Sequence, residues 1–443
     1  MSSEWDDFQL EDVADLNGGY AFKSEEYTET GHFVLRTVNI TDDGRISTSG
    51  AVYVSSEIAK KYERFQLQEL DTLFVMVGST LGKTGLVTAN DLPALLNQNM
   101  WVIRAKKGRV DPLYLHYAFK VLSKPLSSLA SGSARGFVKR DDFRRMKIRL
   151  PELQSQKNIS LLLGEIDDHI TLLRETNQTL EAIAQAIFKS WFVDFDPVRA
   201  KIEGLEPEGM DANTAALFPD TVEESELGVV PRGWAVTSVR DVAEIVKGNS
   251  YSSKELAYEH TTALVTLKSF ERGGGFRMDG FKPYIGVYKP SQVVSAGDLI
   301  VAYTDVTQAA ELIGKPAIVV SVDEYDTLVA SLDVGIVRPD TKKCGRQFLY
   351  GLFKTYSFQS HTFAHTSGTT VLHLSKDGVG SYSFALPPIE LVQKFEEIAS
   401  AIAERNQINA DEIRTLGALR DTLLPRLISG QLPIAALKQK LKR

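Results

Sequence analysis

Trp5-Asp-Asp-Phe-Gln-Leu-Glu-Asp-Val-Ala14 returns far along the chain as Trp234-Ala-Val-Thr-Ser-Val-Arg-Asp-Val-Ala243, and that echo decides the fold. Self-similarity at a long period marks an architecture built from repeated units. Working outward, Leu70-Asp-Thr-Leu-Phe74 matches Gly297-Asp-Leu-Ile-Val301, and Val102-Ile-Arg104 matches Ile336-Val-Arg338. Tyr114-Leu115 matches Phe348-Leu349, Ser131-Gly-Ser133 matches Ser367-Gly-Thr369, and Leu150-Pro151 matches Leu386-Pro387. The spacing between matched strings drifts only as small loop insertions require. Each copy, residues 1–150 and 231–386, therefore reads as a mixed domain of short strands and helices.

The first copy contains Val77-Gly-Ser-Thr-Leu-Gly-Lys-Thr-Gly85, which nearly spells a phosphate-binding loop. Such a loop needs four residues between its glycines and must open a helix. Here Gly78 and Gly82 are separated by only Ser79, Thr80 and Leu81, and the β-branched Thr84-Gly-Leu-Val-Thr88 predicts a strand instead. The second copy, Ala309-Ala-Glu-Leu-Ile-Gly-Lys-Pro316, lacks the early glycine and replaces the hydroxyl residue by Pro316. The string is a turn between strands, not a nucleotide site.

At 443 residues the chain can form two or three cores. No run approaches the roughly 18 apolar residues of a membrane span. The polar, acidic Met-Ser-Ser-Glu-Trp-Asp-Asp start is unlike a signal peptide. A lone Cys344 and seven scattered histidines argue against disulfides and structural zinc, so a cytoplasmic protein without a metal site is expected. Net charge is -7, but it is uneven: residues 203–226 hold eight acids and no Lys or Arg, whereas Arg135–Arg149 is strongly basic. Local field governs phosphate binding, so overall acidity does not exclude a nucleic-acid partner.

A helix follows each copy. Ile159, Ile166, Leu173, Leu180, Ile187 and Leu163, Ile170, Asn177, Ala184, Trp191 form an unbroken heptad with Asn177 its single polar member. The second copy supplies Phe395, Ile402, Asn409, Leu416, Leu423 and Ala399, Asn406, Ile413, Arg420, Leu427. The regions 151–195 and 387–430 are expected to pair in opposite directions, with Ile166, Ile170, Leu173, Leu180, Ile402, Ile413 and Leu416 in the seam. The twofold register sets Leu163 with Leu423, Ile170 with Leu416, Ala184 with Ile402 and Trp191 with Phe395. It also places Asn177 against Asn409, where each amide can satisfy the other. Pro197 is read as ending the first helix. Residues 196–230 read as an acidic linker, ordered to flexible, and 431–443 as a basic tail.

Two strings make the layout specific: Ile187-Phe-Lys-Ser-Trp-Phe-Val-Asp-Phe-Asp-Pro-Val198 after the first helix, and Leu423-Leu-Pro-Arg-Leu-Ile-Ser-Gly-Gln431 after the second. With Glu226-Leu-Gly-Val-Val-Pro-Arg-Gly-Trp234 at the entry to the second copy, the chain resembles the specificity (S) subunit of type I restriction–modification enzymes over essentially its whole length. The resemblance implies an α+β fold of two tandem mixed α/β target-recognition domains, separated by two long helices that pair as an antiparallel coiled coil, with a pseudo-twofold internal repeat. It implies a non-catalytic subunit that reads a bipartite target in double-stranded DNA. It also implies two modification (methyltransferase) subunits and two restriction (translocase/nuclease) subunits as partners, with S-adenosylmethionine, ATP and Mg on those partners and no membrane. No amino-methyltransferase motif, complete Walker A or nuclease cluster is found, so no catalytic residue is assigned.

Base readout needs Arg, Lys, Asn, Gln, Ser or Thr on exposed loops. Candidate contacts are Ser79, Thr80, Lys83, Thr84, Ser133, Arg135 and Lys139 in the first domain. In the second they are Lys268, Arg272, Thr304, Thr307, Gln308, Thr369 and Thr370. Because these loops differ between copies, an asymmetric target is expected. Three alternatives stay open: a type IIB-like specificity subunit, a protein-binding coiled-coil scaffold, and an autonomous enzyme.

Overall fold

The structure, a computed structural model, describes residues 5–78, 80–130, 140–278, 280–307 and 309–432. It divides into two compact units, one of residues 1–172 with 412–443 and the other of residues 173–411. The division falls within the two long helices, Leu153–Phe192 and Ile389–Ile428, so each unit contains part of both.

Both units use the same sheet plan. In the first, an antiparallel sheet runs in the order Ala14–Gly18, Met100–Ala105, Thr72–Val75, Thr84–Leu86. In the second the order is Ala243–Lys247, Val334–Pro339, Leu299–Ala302, Pro316–Ile318. A smaller sheet in each is built on a parallel pair, His32–Leu35 with Ala94–Leu96 and Thr262–Val265 with Thr327–Ala330. The central strands are buried and rich in Val, Ile and Leu, the composition that packs on both faces of a covered sheet.

The repeated strings at the domain ends have a shared purpose. Asp6–Gln9 pairs antiparallel with Lys147–Leu150, and Ala235–Ser238 pairs with Ser383–Leu386. Each domain thus closes its entrance on its exit. An arginine that reaches a backbone carbonyl also recurs within the larger sheet's frame. Arg104 grips the buried Asp71 with Nε at 2.8 Å and Nη2 at 2.6 Å, and reaches the carbonyl of Gln66 at 3.0 Å. Arg338 makes the corresponding reach to the carbonyl of Val293 at 3.0 Å.

The seam residues meet within each unit. In the first, Leu163 shares a core with Leu423, Leu424 and Leu427, and Arg420 Nη1 donates to Asp167 Oδ1 at 2.7 Å. Tyr117 donates to the other oxygen of Asp167 at 2.7 Å, fastening the domain helix Pro112–Ala130 to the long helices. In the second, Phe188 and Trp191 pack against Phe395 with ring centroids 5.5 and 6.3 Å apart. Asn409 Nδ2 donates to Asn177 Oδ1 at 2.7 Å. The amides do not satisfy each other fully, however. Asn177 Nδ2 turns to the carbonyl of Asn406 at 3.2 Å, and the buried Oδ1 of Asn409 has no partner among the described residues.

Two expectations about the segment after the first helix need correction. The helix stops at Phe192, and the reversal is made by Phe195 in the left-handed conformation, φ 56°. Pro197 sits in the first turn of the next helix, Asp196–Ile202, where its missing N–H costs nothing. The acidic stretch is also folded, into a helix Ala212–Ala216 and a hairpin of Val222–Ser225 with Gly228–Pro231. Phe218 anchors it, buried against Trp191 at 5.4 Å, with Met210 and Leu217 beside it. Three apolar side chains among the acids suffice to dock it.

Candidate nucleic-acid interface

Hairpin loops carry most of the candidate residues, and their conformations are set by where their backbone groups bond. In the first unit the turn between Thr72–Val75 and Thr84–Leu86 bonds inward: Leu81 N donates to Gly78 O at 3.2 Å and Gly82 N to Val75 O at 3.0 Å. Gly78 and Gly82 have φ of 86° and 89°, which glycine adopts without strain. Amides turned onto their own carbonyls do not form a phosphate cradle, and a strand follows rather than a helix.

The second hairpin keeps the base of this turn and lengthens its top. Gly314 N donates to Ala302 O and Lys315 N to Leu312 O, each at 2.9 Å, reproducing the closing bonds that Gly82 N makes to Val75 O and Lys83 N to Thr80 O. Asp305 organises the added residues. Its buried carboxylate accepts from Thr307 N at 2.6 Å, Leu312 N at 2.5 Å and Ile313 N at 2.9 Å. Burial pushes this carboxyl up, but bonds from the Thr307 hydroxyl and the three backbone N–H groups outweigh burial and hold it below the usual carboxylate range.

Neighbouring segments converge on this loop. Arg272 pairs with Glu311 at 3.2 Å, and Gly273 N donates to Glu311 O at 3.2 Å. Thr304 and Asp305 pair with His373 and Leu372, and Leu372–Leu374 pairs with Thr366–Ser367. The tip of that second hairpin exposes Thr369 and Thr370. The second unit therefore brings Arg272, Thr307, Thr369 and Thr370 onto adjoining loops, with Lys268 exposed on the short helix Leu267–Ser269. In the first unit Lys83 pairs with Asp42 at 2.6 Å, linking the same two kinds of loop with the charges exchanged. The turn after the short helix supplies the acid there, and the base, Arg272, in the second unit.

Thr80 is half-buried in the first hairpin. Two candidates are corrected: Thr84 and Thr304 are buried in strand pairing, so their hydroxyls do not face solvent. Strand alternation would have placed both inward, but the alternating signal in these short segments is too brief to read. Ser79, Ser133, Arg135, Lys139 and Gln308 lie outside the described residues. Sequence reasoning missed Lys247, Asn249 and Lys289, which line a groove at the same end of the sheet. Extending the repeat past Ala14 and Ala243 would have set Gly19 against Gly248 and pointed there.

Residues 2–182 match the family model described as the type I restriction modification DNA specificity domain. The chain is 28% identical, over 66% of its length and 70% of the other's, to the type I restriction enzyme HindI specificity subunit of Haemophilus influenzae. Both likenesses support a type I specificity subunit. The chain is also 22% identical, over 99% of its length and 95% of the other's, to the MjaIX specificity subunit of Methanocaldococcus jannaschii. In fold, it is similar to the type I restriction–modification S subunit from M. genitalium, with a TM-score of 0.52 at 14% identity over 96% of each chain. A specificity subunit is the non-catalytic member of such a system. Among the described residues no helix is long and apolar enough to cross a membrane.

Proposed function

We propose that this chain is a type I specificity subunit that reads an asymmetric, bipartite sequence in double-stranded DNA, one half with each domain. The observation that carries the reading is the duplicated sheet bearing unlike loops at the same end: a short inward-bonded turn in one unit and a longer Asp305-centred loop in the other. Equal frames with different loops suit two different half-sites. The two long helices act as an antiparallel coiled coil that sets the gap, and half-sites of such readers lie about one helical turn, ~34 Å, apart. Their outer faces dock two modification subunits, and two restriction subunits join that core. S-adenosylmethionine, ATP and Mg belong to those partners.

Replacing residues 231–386 with the matching domain of a relative, then sequencing methylated sites in cells carrying the assembled system, tests this reading. One half of the methylated sequence is expected to change while the other half and the gap stay. A change in both halves would contradict it.

A further inference from the structure

The repeat makes one further place directly comparable between the halves. In the first unit Tyr20 follows the strand Ala14–Gly18 and bridges to Asn97. It stacks on Tyr62 at 4.1 Å between ring centroids, with Phe65 at 5.3 Å. The two tyrosine hydroxyls lie 2.8 Å apart. In the second unit Asn249 follows the strand Ala243–Lys247 and bridges to Ser331 in the same parallel sense. The short helix Pro290–Gln292 stands for Glu63–Phe65, because Val293 after one pairs with Val329 as Gln66 after the other pairs with Leu95. Tyr20, Tyr62 and Phe65 are thereby replaced by Asn249, Lys289 and Gln292.

Three packed rings have become three polar side chains, and the space the rings fill is open. A groove of about 590 Å³ lies there, lined by Lys247, Asn249, Tyr288, Lys289, Gln292 and Leu332 among others, and by no carboxylate among the described residues. Its wall is braced: Asn249 Nδ2 donates to the Tyr284 hydroxyl at 2.9 Å and to the carbonyl of Val287 at 3.1 Å. Its place in the sheet is fixed by register. Lys247 pairs with Gly335, and Val334 with Ala302, so the groove opens at the end from which the Asp305 loop departs. Two strand spacings, ~10 Å, separate Lys247 from the start of that loop.

We propose that this groove takes the sugar–phosphate backbone of duplex DNA beside the second half-site, with Lys247 and Lys289 on phosphates and Tyr288 and Leu332 against the sugar edge. The inference rests on the DNA-recognition reading above and adds an anchor that only the second domain possesses. Two exposed ammonium groups in a groove with no carboxylate among its described lining residues suit a polyanion, and phosphate contacts position a reader without carrying sequence information. The first domain, its groove closed by rings, makes no such contact.

The test uses the full chain assembled with its methyltransferase subunits. Affinity for a duplex carrying the methylated sequence, and for a scrambled duplex, is measured across a salt series. Lys247→Ala with Lys289→Ala is expected to weaken both alike and to reduce the log–log salt slope by about 2, near one unit per lysine. The methylated sequence in cells is expected to stay the same. Lys342→Ala with Lys343→Ala, beyond the opposite end of the same sheet, removes equal charge and is expected to leave the slope unchanged. An unchanged slope in the groove variant, an equal drop in the control, or an altered methylated sequence would overturn the proposal. Were the unaltered complex to prefer no duplex at all, the recognition reading itself would fall, and the groove with it.

Discussion

Asn177 shows how much a single side chain can specify. It is the one polar residue in its helix's seam, and Asn409 reaches it at 2.7 Å. Leucine at 177 would leave the buried Asn409 amide without a partner, at a cost of ~1–3 kcal/mol. Asn177→Leu is therefore expected to destabilise the chain, while adding Asn409→Leu recovers stability and loosens the register. Denaturant unfolding of the two single variants and the double completes the cycle; additive changes would mean the amides are not coupled. Asp305 makes a second residue-scale prediction. Asp305→Asn removes a charged acceptor from three N–H groups and is expected to cost ~1–3 kcal/mol near neutral pH. Because the folded carboxyl titrates below its unfolded value, its contribution is complete above about pH 4 and fades as pH falls through the folded pKa. The stability gap between native chain and variant should therefore narrow in acid, which urea unfolding at several pH values reads directly.

At the scale of elements, the spacer role proposed for the long helices makes their length a variable. A heptad inserted into each helix adds ~10.5 Å of rod, close to three base pairs at 3.4 Å each. Cells carrying the lengthened subunit with its partners are expected to methylate the same half-sites about three base pairs further apart; an unchanged gap would show that the helices do not set it. These helices were legible because a heptad over many turns averages out local exceptions. The duplicated sheets were legible for a related reason, since two copies of each string confirm one another. What stayed hidden depended on a few contacts without periodicity. Phe218 docking on Trp191 orders a segment whose composition reads as a linker, and Phe195 rather than Pro197 turns the chain. The inward hydroxyls of Thr84 and Thr304, and the loop gathered by Asp305, follow from strand pairing that a single string does not reveal. The amide pair was readable, but its one-sided hydrogen bonding was not, because Asn177 finds the backbone of Asn406 instead.

For the whole molecule, duplication with divergence gives one chain two like frames with unlike loops, as the proposed pair of readers requires. The frame is repeated down to the arginine that reaches back across the sheet, Arg104 in one half and Arg338 in the other. Variation is concentrated at one end of each sheet, where Lys83 and Arg272 exchange charge roles with Asp42 and Glu311. The pairing of Asp6–Gln9 with Lys147–Leu150, and of Ala235–Ser238 with Ser383–Leu386, has a consequence for heredity. Entry and exit of each domain lie on neighbouring strands, ~4.8 Å apart, so everything between them is a cassette with adjacent ends. A genetic crossover inside a cassette mixes strands that must pair with each other, whereas crossovers just outside both ends exchange it whole. On the proposed two-domain reading, recombination between related genes would hand this protein a new half-target in one event, with the helical frame left as it was.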